Sequence, residues 1–451
     1  MASRRNGITA VLFLLVLTIA TGFLLCGTFP EETHFADLPR LTKTAVRATE
    51  DAAVPLRSSP PSVQTRLGAT YRLAQANEDL DRFLEEAEPG LNALLDREHT
   101  FIELYGGIQQ LTGRRMVEDV DPQYTVVRLD DHSLTFANPD GQAEDVTVRA
   151  EEMVEFARLV EEEYDIPLLY VQAPSKTDVS PLPDGVEDAA GREADQFLAL
   201  LEKYDVATLD LRPVFRKAAD SGDYAEDPLF FTTDHHWTPT GAFLGYQTLC
   251  ERLAKDYRFK IDKKLTDPDS FHRYTFEDIF LGSQGRRVGS LYAGLDDLDL
   301  WSPTFPTDFT YTVPIVGIER EGPFIISLLF PERLAQQGYY DTNPYTIYSG
   351  DDYLLARAVN RNNPQGKRIL ILRDSFGCAL TPFLSLISSE CMAIDPRNFN
   401  GNQETMMEYL DWLEPDILIV MNTTGSIKVD ELFPYLPTAR ANVLEAKRSE
   451  K

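Results

Sequence analysis

The chain has 451 residues, 43% of them hydrophobic and 10% aromatic, and its formal net charge is −29 at pH 7. This length and composition predict a folded globular protein with one large core or two smaller ones. The negative charge argues against a nucleic-acid partner, because an acidic surface repels phosphates. It is compatible with a neutral or sugar substrate.

The N-terminal segment predicts a membrane anchor. Arg4 and Arg5 precede an uncharged run over 8–29, which is long enough to cross a hydrocarbon core of about 30 Å as a helix. The basic side is expected to stay in the cytoplasm. A cleaved signal peptide is the alternative, but its apolar region is usually about 7–15 residues long and ends in small residues. We therefore expect 1–30 to hold a cytoplasmic tip and a single-pass anchor in the cell membrane, with the following chain extracytoplasmic.

The four cysteines do not predict a disulfide framework. Cys26 lies in the apolar N-terminal run, which leaves Cys250, Cys378 and Cys391 for the soluble part. A bridge between Cys378 and Cys391 is one interpretation, and three buried thiols are the expected one. The cysteine content leaves the redox compartment open.

The region after the anchor divides by composition and periodicity. Residues 31–61 are interpreted as a linker that ends in a Ser- and Pro-rich stretch. Residues 62–120 have apolar residues at helical spacing and are predicted to form a membrane-proximal helical segment. The main domain is expected over 121–435, followed by a C-terminal tail over 436–451.

Within the main domain, predicted strands alternate with predicted helices. Strands are predicted at 124–129, 133–136, 166–172, 206–211, 368–372, 392–394 and 416–420, and helices from about 146 to 164 and at 194–204, 238–255, 376–386 and 404–412. This alternation is typical of an α/β protein with a parallel sheet and helices on both faces. Residues 257–365 are interpreted as an insertion or a run of hairpins, with β-like pieces at 309–315 and 323–329.

A serine lies at a position that favours catalysis. Ser375 follows the predicted strand at 368–372 and precedes a predicted helix. The carboxyl end of a parallel strand is where doubly wound sheets bind ligands, and free N–H groups at a helix N-terminus favour negative charge. The hydroxyl is therefore expected beside donors for an oxyanion. The alternative is that Ser375 only caps the helix.

An Asp-His-His-Trp sequence, Asp234–Trp237, precedes the helix predicted from Thr238. In an extended segment residues i and i+2 point to the same side, so Asp234 and His236 are expected to face one site and His235 to point away. A serine nucleophile needs a base, and an imidazole works better with a carboxylate that orients it. The sequence therefore predicts a serine-hydrolase-type triad, the alternative being a cap and packed core histidines.

Metal binding is the rival interpretation of Asp-His-His. Adjacent histidines in an extended segment do not easily face one ion, and no histidine follows His272. Neither His-Glu-x-x-His nor paired Cys-x-x-Cys occurs, and the glycine-rich histidine motif and additional Asp motifs of the DHH-type phosphoesterases are missing. We expect no metal site and no cofactor.

Asp-His-His-Trp, a later strand–Arg-Asp-Ser–helix and an N-terminal anchor together resemble the DHHW family. They also resemble the periplasmic proteins of alginate O-acetylation within the SGNH hydrolase superfamily. The resemblance covers roughly residues 100–425. Supporting pieces are Gly106–Arg115, Ala173–Lys176, Phe280–Ser283 with Arg286 and Arg287, and Ile394–Arg397.

The resemblance implies a flavodoxin-like SGNH hydrolase fold in which the Asp-x-His motif precedes the serine, a permuted order. It implies Ser375 as nucleophile, His236 as general base and Asp234 as its orienting acid. Two blocks depart from the superfamily pattern. Arg373 stands where Gly-Asp-Ser has its glycine, and Val420-Met421-Asn422-Thr423 replaces Gly-x-Asn-Asp.

Three further residues are candidates for the site because each follows or ends a predicted strand. Asn422 is a candidate oxyanion donor, with a local turn role as the alternative. Arg397 is a candidate for substrate binding or for a surface ion pair. Lys176 is a candidate for lining the site.

These observations favour acyl transfer outside the membrane, in which Ser375 takes an acetyl group and passes it to a hydroxyl of a cell-wall or exported polysaccharide. In the related alginate system a membrane-bound O-acyltransferase supplies the acetyl group, so the resemblance implies such a partner. Two alternatives stay open. One is an O-acetylesterase with the same triad, and the other is a catalytically silent polysaccharide-binding or scaffold protein, which the two altered blocks favour.

Overall fold

The computed structural model describes residues 99–136, 143–186, 189–335, 338–399 and 401–436. The predicted anchor and linker, and the tail beyond residue 436, lie outside these ranges, as does most of the predicted membrane-proximal segment. Within the described ranges, no helix has both the length and the apolar character needed to cross a bilayer. The chain from Phe101 onward forms one unit.

Strands and helices alternate through most of the described chain. The strands are β1 (Met116–Val117), β2 (Val126–Arg128), β3 (Leu134–Phe136), β4 (Leu168–Ala173), β5 (Ala207–Asp210), β6 (Phe271–Phe280), β7 (Asp296–Pro303), β8 (Phe309–Val313), β9 (Ile318–Gly322), β10 (Ala356–Asn360), β11 (Arg368–Arg373), β12 (Glu390–Ile394) and β13 (Ile417–Thr423). The helices are α1 (Thr100–Leu111), α2 (Thr147–Tyr164), α3 (Ala189–Lys203), α4 (Arg212–Ser221), α5 (Pro239–Tyr257), α6 (Ser283–Val288), α7 (Ser290–Ala293), α8 (Phe324–Ser327), α9 (Gly377–Ile387) and α10 (Gln403–Leu413).

The central sheet has eight strands in the order β5-β4-β13-β11-β12-β10-β8-β9. The first five are parallel to their neighbours, and β10, β8 and β9 extend the sheet in antiparallel pairing. Counted from β11, the parallel strands lie in the order 2-1-3-4-5, which is the flavodoxin-like order. The parallel sheet and its permuted order agree with the prediction, and the antiparallel edge makes the sheet mixed.

The middle strands are apolar along their whole length because both faces of the sheet are covered. In β11, Ile369 and Ile371 pack into a core with residues of α5 and α9 on one face. Leu370 and Leu372 pack on the other face with residues of α2, α3 and α10. This two-sided burial fixes the position of the turn that follows β11.

The region over 257–365 contributes the β6–β7 hairpin and all three antiparallel strands of the main sheet. The β-like piece predicted at 323–329 is wrong, because Phe324–Ser327 forms the helical turn α8. Pro323 precedes this turn, and its carbonyl accepts from the N–H groups of Ile326 and Ser327. A short apolar run has no periodicity that separates a strand from a helical turn.

Two other predictions, the start of helix α5 and the state of the cysteines, agree with the structure. Thr238 is the N-cap of α5, and its hydroxyl accepts from the Gly241 N–H at 3.2 Å. Cys250, Cys378 and Cys391 are free and buried, so the prediction of three buried thiols is confirmed and the bridge between Cys378 and Cys391 is not formed.

Candidate active site

The turn after β11 presents Ser375 to His236. Ser375 Oγ lies 2.7 Å from His236 Nε2. The residue before α9 is Phe376, and no side chain caps this helix. The capping alternative for Ser375 is therefore wrong, and its hydroxyl is directed to an imidazole.

Asp234 orients that imidazole. Asp234 Oδ1 is hydrogen-bonded to His236 Nδ1 and also accepts the His236 backbone N–H at 3.0 Å. The other oxygen, Oδ2, accepts the Ser283 N–H at 2.7 Å. Burial alone raises the pKa of Asp234, but the two neighbouring imidazoles and these hydrogen bonds hold that pKa well below its usual range. An ionised carboxylate, an imidazole and a hydroxyl are thus joined by successive hydrogen bonds.

The position of His235 differs from the prediction. Residues 232–236 form a bend, because Asp234 Oδ1 accepts the N–H of the residue two positions later. His235 therefore does not point away, and its ring centroid lies 3.9 Å from that of His236. His235 Nδ1 lies 2.8 Å from Ser283 Oγ.

The bend also brings three possible metal ligands close together. The ligand atoms of Asp234, His235 and His236 lie within 4.8 Å of one another, so the expectation that adjacent histidines face apart fails here. Both nitrogens of His236 and Nδ1 of His235 already have hydrogen-bond partners. A metal ion at this place would have to displace the hydrogen bonds that align the Ser375 hydroxyl.

Residues of the region over 257–365 hold the Asp-His loop. The Asp296 carboxylate accepts from the backbone N–H groups of Thr232 and Thr233 at 2.6 and 2.7 Å, and from Thr233 Oγ1 at 2.6 Å. The Gly282 N–H donates to the same hydroxyl at 2.7 Å. A Cβ on Gly282 would lie 2.1 Å from Asp234 Cβ, so only glycine allows this approach. The sequence carried no signal for Asp296, and Gly282 and Ser283 entered only as supporting pieces of the resemblance.

Two aromatic residues fix the turn that carries Ser375. Trp237 Nε1 and the Tyr345 hydroxyl donate to the carbonyl of Phe376 at 3.0 and 3.2 Å. The Tyr345 ring also stacks on His236, with 4.0 Å between centroids and 18° between planes. Trp237 belongs to the recognised motif, whereas no local pattern identifies Tyr345.

Asp374 ties the same turn to the end of β13. Its carboxylate accepts from the N–H groups of Phe376 and Thr423 at 3.1 and 2.8 Å, and from the hydroxyls of Thr423 and Ser426 at 3.0 and 2.8 Å. The backbone N–H of Ser375 has no acceptor within the described ranges. Thus the residue before the serine is engaged in structure while the serine N–H stays open for a ligand.

Asn422 lies beside this turn. Its neighbour Met421 pairs with Arg373 in the sheet, which sets Asn422 at the level of Asp374. The residue is 2% exposed, its carbonyl accepts from Gln172 Nε2 at 2.9 Å, and its Oδ1 has no hydrogen-bond partner among the described residues. The structure thus places this candidate next to the serine turn.

The two arginines near the site are paired with acids. Arg397 contacts Asp352 at 2.7 Å and Asp395 at 2.5 Å, and its side chain is partly exposed. The buried Arg373 forms an ion pair with Asp352 and lies 3.8 Å from Asp395. Arg397 thus forms an ion pair, and substrate binding by its exposed part stays a prediction. The same acids neutralise Arg373, which would otherwise be a costly buried charge.

Lys176 does not contact the triad. Its Nζ donates to the carbonyls of Leu134 and Thr232 at 2.5 and 3.1 Å, and so joins β3 to the Asp-His loop. The side chain lines a separate cleft of about 480 Å³ with Tyr224 and Phe230. Lys176 thus stabilises the loop that carries Asp234 and His236.

Burial lowers the pKa of Lys176 to about 8, against the opposing effect of Asp296 and Asp234. In the unfolded chain the value is about 10.4, so between these values the unfolded state binds more protons and the free energy of unfolding rises with pH. We expect the wild type to gain about 2 kcal/mol relative to Lys176→Met between about pH 7 and about pH 9.5. Urea denaturation of both proteins at each pH measures this, and parallel pH dependences would refute the assignment.

In the count that starts at β11, Ser375 follows the first parallel strand, β11, and Asp234 and His236 come after the last one, β5. This arrangement defines an SGNH-like α/β fold. Two family models match the chain. One is described as SGNH hydrolase-like domain, acetyltransferase AlgX, and matches residues 132–267; the other, DHHW protein, matches residues 221–390. The chain resembles both groups, as its motifs predicted.

Two solved structures with TM-scores above 0.5 share this fold. A DHHW family protein from Eubacterium siraeum is 17% identical, with a TM-score of 0.52 over 69% of this chain and 94% of that chain. PatB1 of Bacillus cereus with a sulfonyl adduct is 22% identical, with a TM-score of 0.55 over 68% of this chain and 97% of that chain. A weaker similarity is to the O-acetyltransferase domain of Pseudomonas putida AlgJ, which is 15% identical, with a TM-score of 0.40 over 67% of this chain and 91% of that chain. A comparison with curated proteins gives no match.

Proposed function

We propose that this protein is a membrane-anchored, extracytoplasmic O-acyltransferase that moves an acetyl group to a hydroxyl of a cell-wall or exported polysaccharide. The observation that carries the proposal is the contact of 2.7 Å between Ser375 Oγ and His236 Nε2, with Nδ1 of the same ring held by Asp234. Agreement with the acetyltransferase family model supports the choice of an acyl group.

In the first half-reaction Ser375 Oγ attacks the acetyl carbonyl of a donor ester, and its proton passes to His236 Nε2. The tetrahedral intermediate collapses as the donor oxygen leaves with that proton, and an acetyl-serine remains. In the second half-reaction the acceptor hydroxyl attacks the acetyl-serine and gives its proton to His236. Ser375 Oγ then leaves and recovers the proton, so the enzyme ends unchanged.

The negative oxygen of each tetrahedral intermediate needs preorganised donors. The proposed donors are the N–H of Ser375, which has no acceptor within the described ranges, and Nδ2 of Asn422, a residue that lies beside the serine turn. A membrane-bound O-acyltransferase is the proposed source of the acetyl group, since the predicted anchor would hold both proteins in one membrane.

The silent-scaffold alternative rested on the two altered sequence blocks, and the structure accommodates both. Arg373 is neutralised by Asp352 and Asp395, and Asp374 keeps four hydrogen bonds that shape the serine turn. A surface that only binds a polysaccharide does not need the hydrogen-bonded Asp-His-Ser arrangement, whereas a serine nucleophile does. The esterase alternative uses the same arrangement, with water as the acceptor.

The test is turnover of p-nitrophenyl acetate by the full chain in detergent, with and without an oligosaccharide acceptor. We expect Ser375→Ala and His236→Ala each to lower turnover at least about 10³-fold, and the wild type to transfer acetyl to the acceptor, detected by mass spectrometry. Ser221→Ala, an exposed serine at the end of α4, is the matched control.

A sulfonyl fluoride is the second probe, because PatB1 is known with a sulfonyl adduct. Labelling that requires Ser375 would exclude the silent scaffold. Acetate release with no acetylated acceptor would favour the esterase, and a folded protein with neither labelling nor turnover would overturn the proposal.

A further inference from the structure

His235 is the solvent-facing imidazole beside the general base. Its side chain is 43% exposed, compared with 7% for His236, and the two ring centroids are 3.9 Å apart. The mechanism above gives it no task. A molecule that brings a hydroxyl to His236 therefore meets a second imidazole at the next position.

The surroundings of His235 Nδ1 favour a proton on that nitrogen. Ser283 Oγ donates to Gln284 Oε1 at 3.1 Å, so its single hydroxyl hydrogen is used. The carboxylate oxygen Oδ1 of Asp234 lies 3.7 Å from the same ring nitrogen, Nδ1. Both neighbours favour the tautomer in which His235 Nδ1 carries the proton and donates to Ser283 Oγ at 2.8 Å. A neutral ring with a protonated Nδ1 has a bare lone pair on Nε2.

That lone pair is open. His235 Nε2 has no hydrogen-bond partner among the residues that the structure describes. Desolvation and then the neighbouring His236 imidazole lower the pKa of His235, which keeps the ring neutral at neutral pH. The site mouth thus offers a hydrogen-bond acceptor directly beside the base.

We propose that His235 Nε2 accepts a hydrogen bond from the hydroxyl vicinal to the one that becomes acylated, so that the acceptor is a sugar with a free vicinal diol. The inference rests on the proposed acyl transfer. The two rings are tilted by 36° with 3.9 Å between their centroids, a separation at which two neighbouring hydroxyls of one sugar can each meet one imidazole. The reacting proton still goes to His236, and His235 transfers none.

This arrangement selects among acceptors. A lone alcohol satisfies His236 and leaves the lone pair of His235 to solvent, whereas a diol satisfies both. One additional neutral hydrogen bond corresponds to about a fivefold to tenfold preference for the diol. His235 would therefore be a specificity-determining residue for the second half-reaction.

The experiment compares a vicinal cyclohexanediol with its monomethyl ether as acceptors for the full chain in detergent, with p-nitrophenyl acetate as donor. The ester formed is measured per hydroxyl and divided by the concentration of fluorophosphonate-labelled sites. We expect the wild type to prefer the diol about fivefold to tenfold, a result that needs no variant.

Two variants of similar polarity separate the nitrogens. The amide of His235→Asn lies near the Nδ1 position and can bond Ser283, but it places nothing at the Nε2 position; we expect its preference to fall to about one. The longer amide of His235→Gln reaches the Nε2 position and is expected to keep most of the preference.

The remaining outcomes show whether the diol preference, or acyl transfer itself, is wrong. No preference in the wild type, an unchanged preference in His235→Asn, or equal loss in both variants would overturn the assignment to His235 while leaving acyl transfer in place. Absence of any Ser375-dependent ester from either alcohol would overturn the proposed function, and this inference with it.

Discussion

Asp234→Asn is expected to lower kcat for p-nitrophenyl acetate by about 10³- to 10⁴-fold. The Asp234 carboxylate accepts two N–H groups on Oδ1 and one on Oδ2, so either orientation of an asparagine amide sets its NH₂ group against a donor. The neutral side chain also fails to stabilise the imidazolium that forms when His236 takes the Ser375 proton. Because the pKa of Asp234 is held well below its usual range, the wild-type carboxylate stays charged throughout any practical assay range.

The matched control is Asp220→Asn, which makes the same charge change at an exposed acid in α4. We expect its turnover to stay within a factor of two of the wild type, since surface substitutions away from a site have small effects (about 0.5 kcal/mol or less). Thermal unfolding of both variants establishes that the fold persists. A folded Asp234→Asn protein within tenfold of the wild type would mean that Asp234 does not orient the base.

Gly282→Ala is expected to cause the largest combined loss of stability and activity. The added Cβ would lie 2.1 Å from Asp234 Cβ and within 2.6 Å of its backbone Cα and N, and backbone atoms cannot rotate away. Overpacking of this kind costs about 1–3 kcal/mol or more. Relief requires Asp234 to move, and a shift of about 1 Å in a catalytic group can cost about 10²-fold in rate.

Gly425→Ala is the control for Gly282→Ala, because a Cβ there meets nothing within 4 Å. Urea denaturation should give a free energy of unfolding within about 0.5 kcal/mol of the wild type for this control. Turnover per labelled site separates the two expected effects of Gly282→Ala. If that variant matched Gly425→Ala in both measurements, the close approach to Asp234 would have no consequence for the site.

The sequence identified the parts of the molecule that local chemistry encodes. The continuous apolar run Ile369–Leu372 belongs to a strand covered on both faces, and Thr238 is followed by a helix it caps. The pairing of Asp234 and His236 with Ser375 came from the chemistry that a serine nucleophile needs, and the structure brings these three together.

The parts that were missed depend on contacts between residues far apart in the chain. The bend that turns His235 toward His236 combines the local hydrogen bond from the His236 N–H to Asp234 Oδ1 with contacts from Asp296, more than sixty residues away. An Asp can form such a local turn or lie in an extended segment, and the distant contact that accompanies the turn here leaves no trace in the local sequence. Tyr345 reaches the serine turn from another element. The antiparallel edge of the sheet depends on pairings across β8, β10 and β12, which no local pattern specifies.

The permuted strand order determines when the site can exist during synthesis. A chain is made from its N-terminus, and Ser375 follows His236 by 139 residues. Strand β11 lies between β12 and β13, which are made after it, so the centre of the sheet stays open until the last strand of the domain has emerged. An incomplete chain therefore carries Asp234 and His236 but has no sheet to position Ser375, so we expect any activity of this site to appear only after translation of the domain is finished.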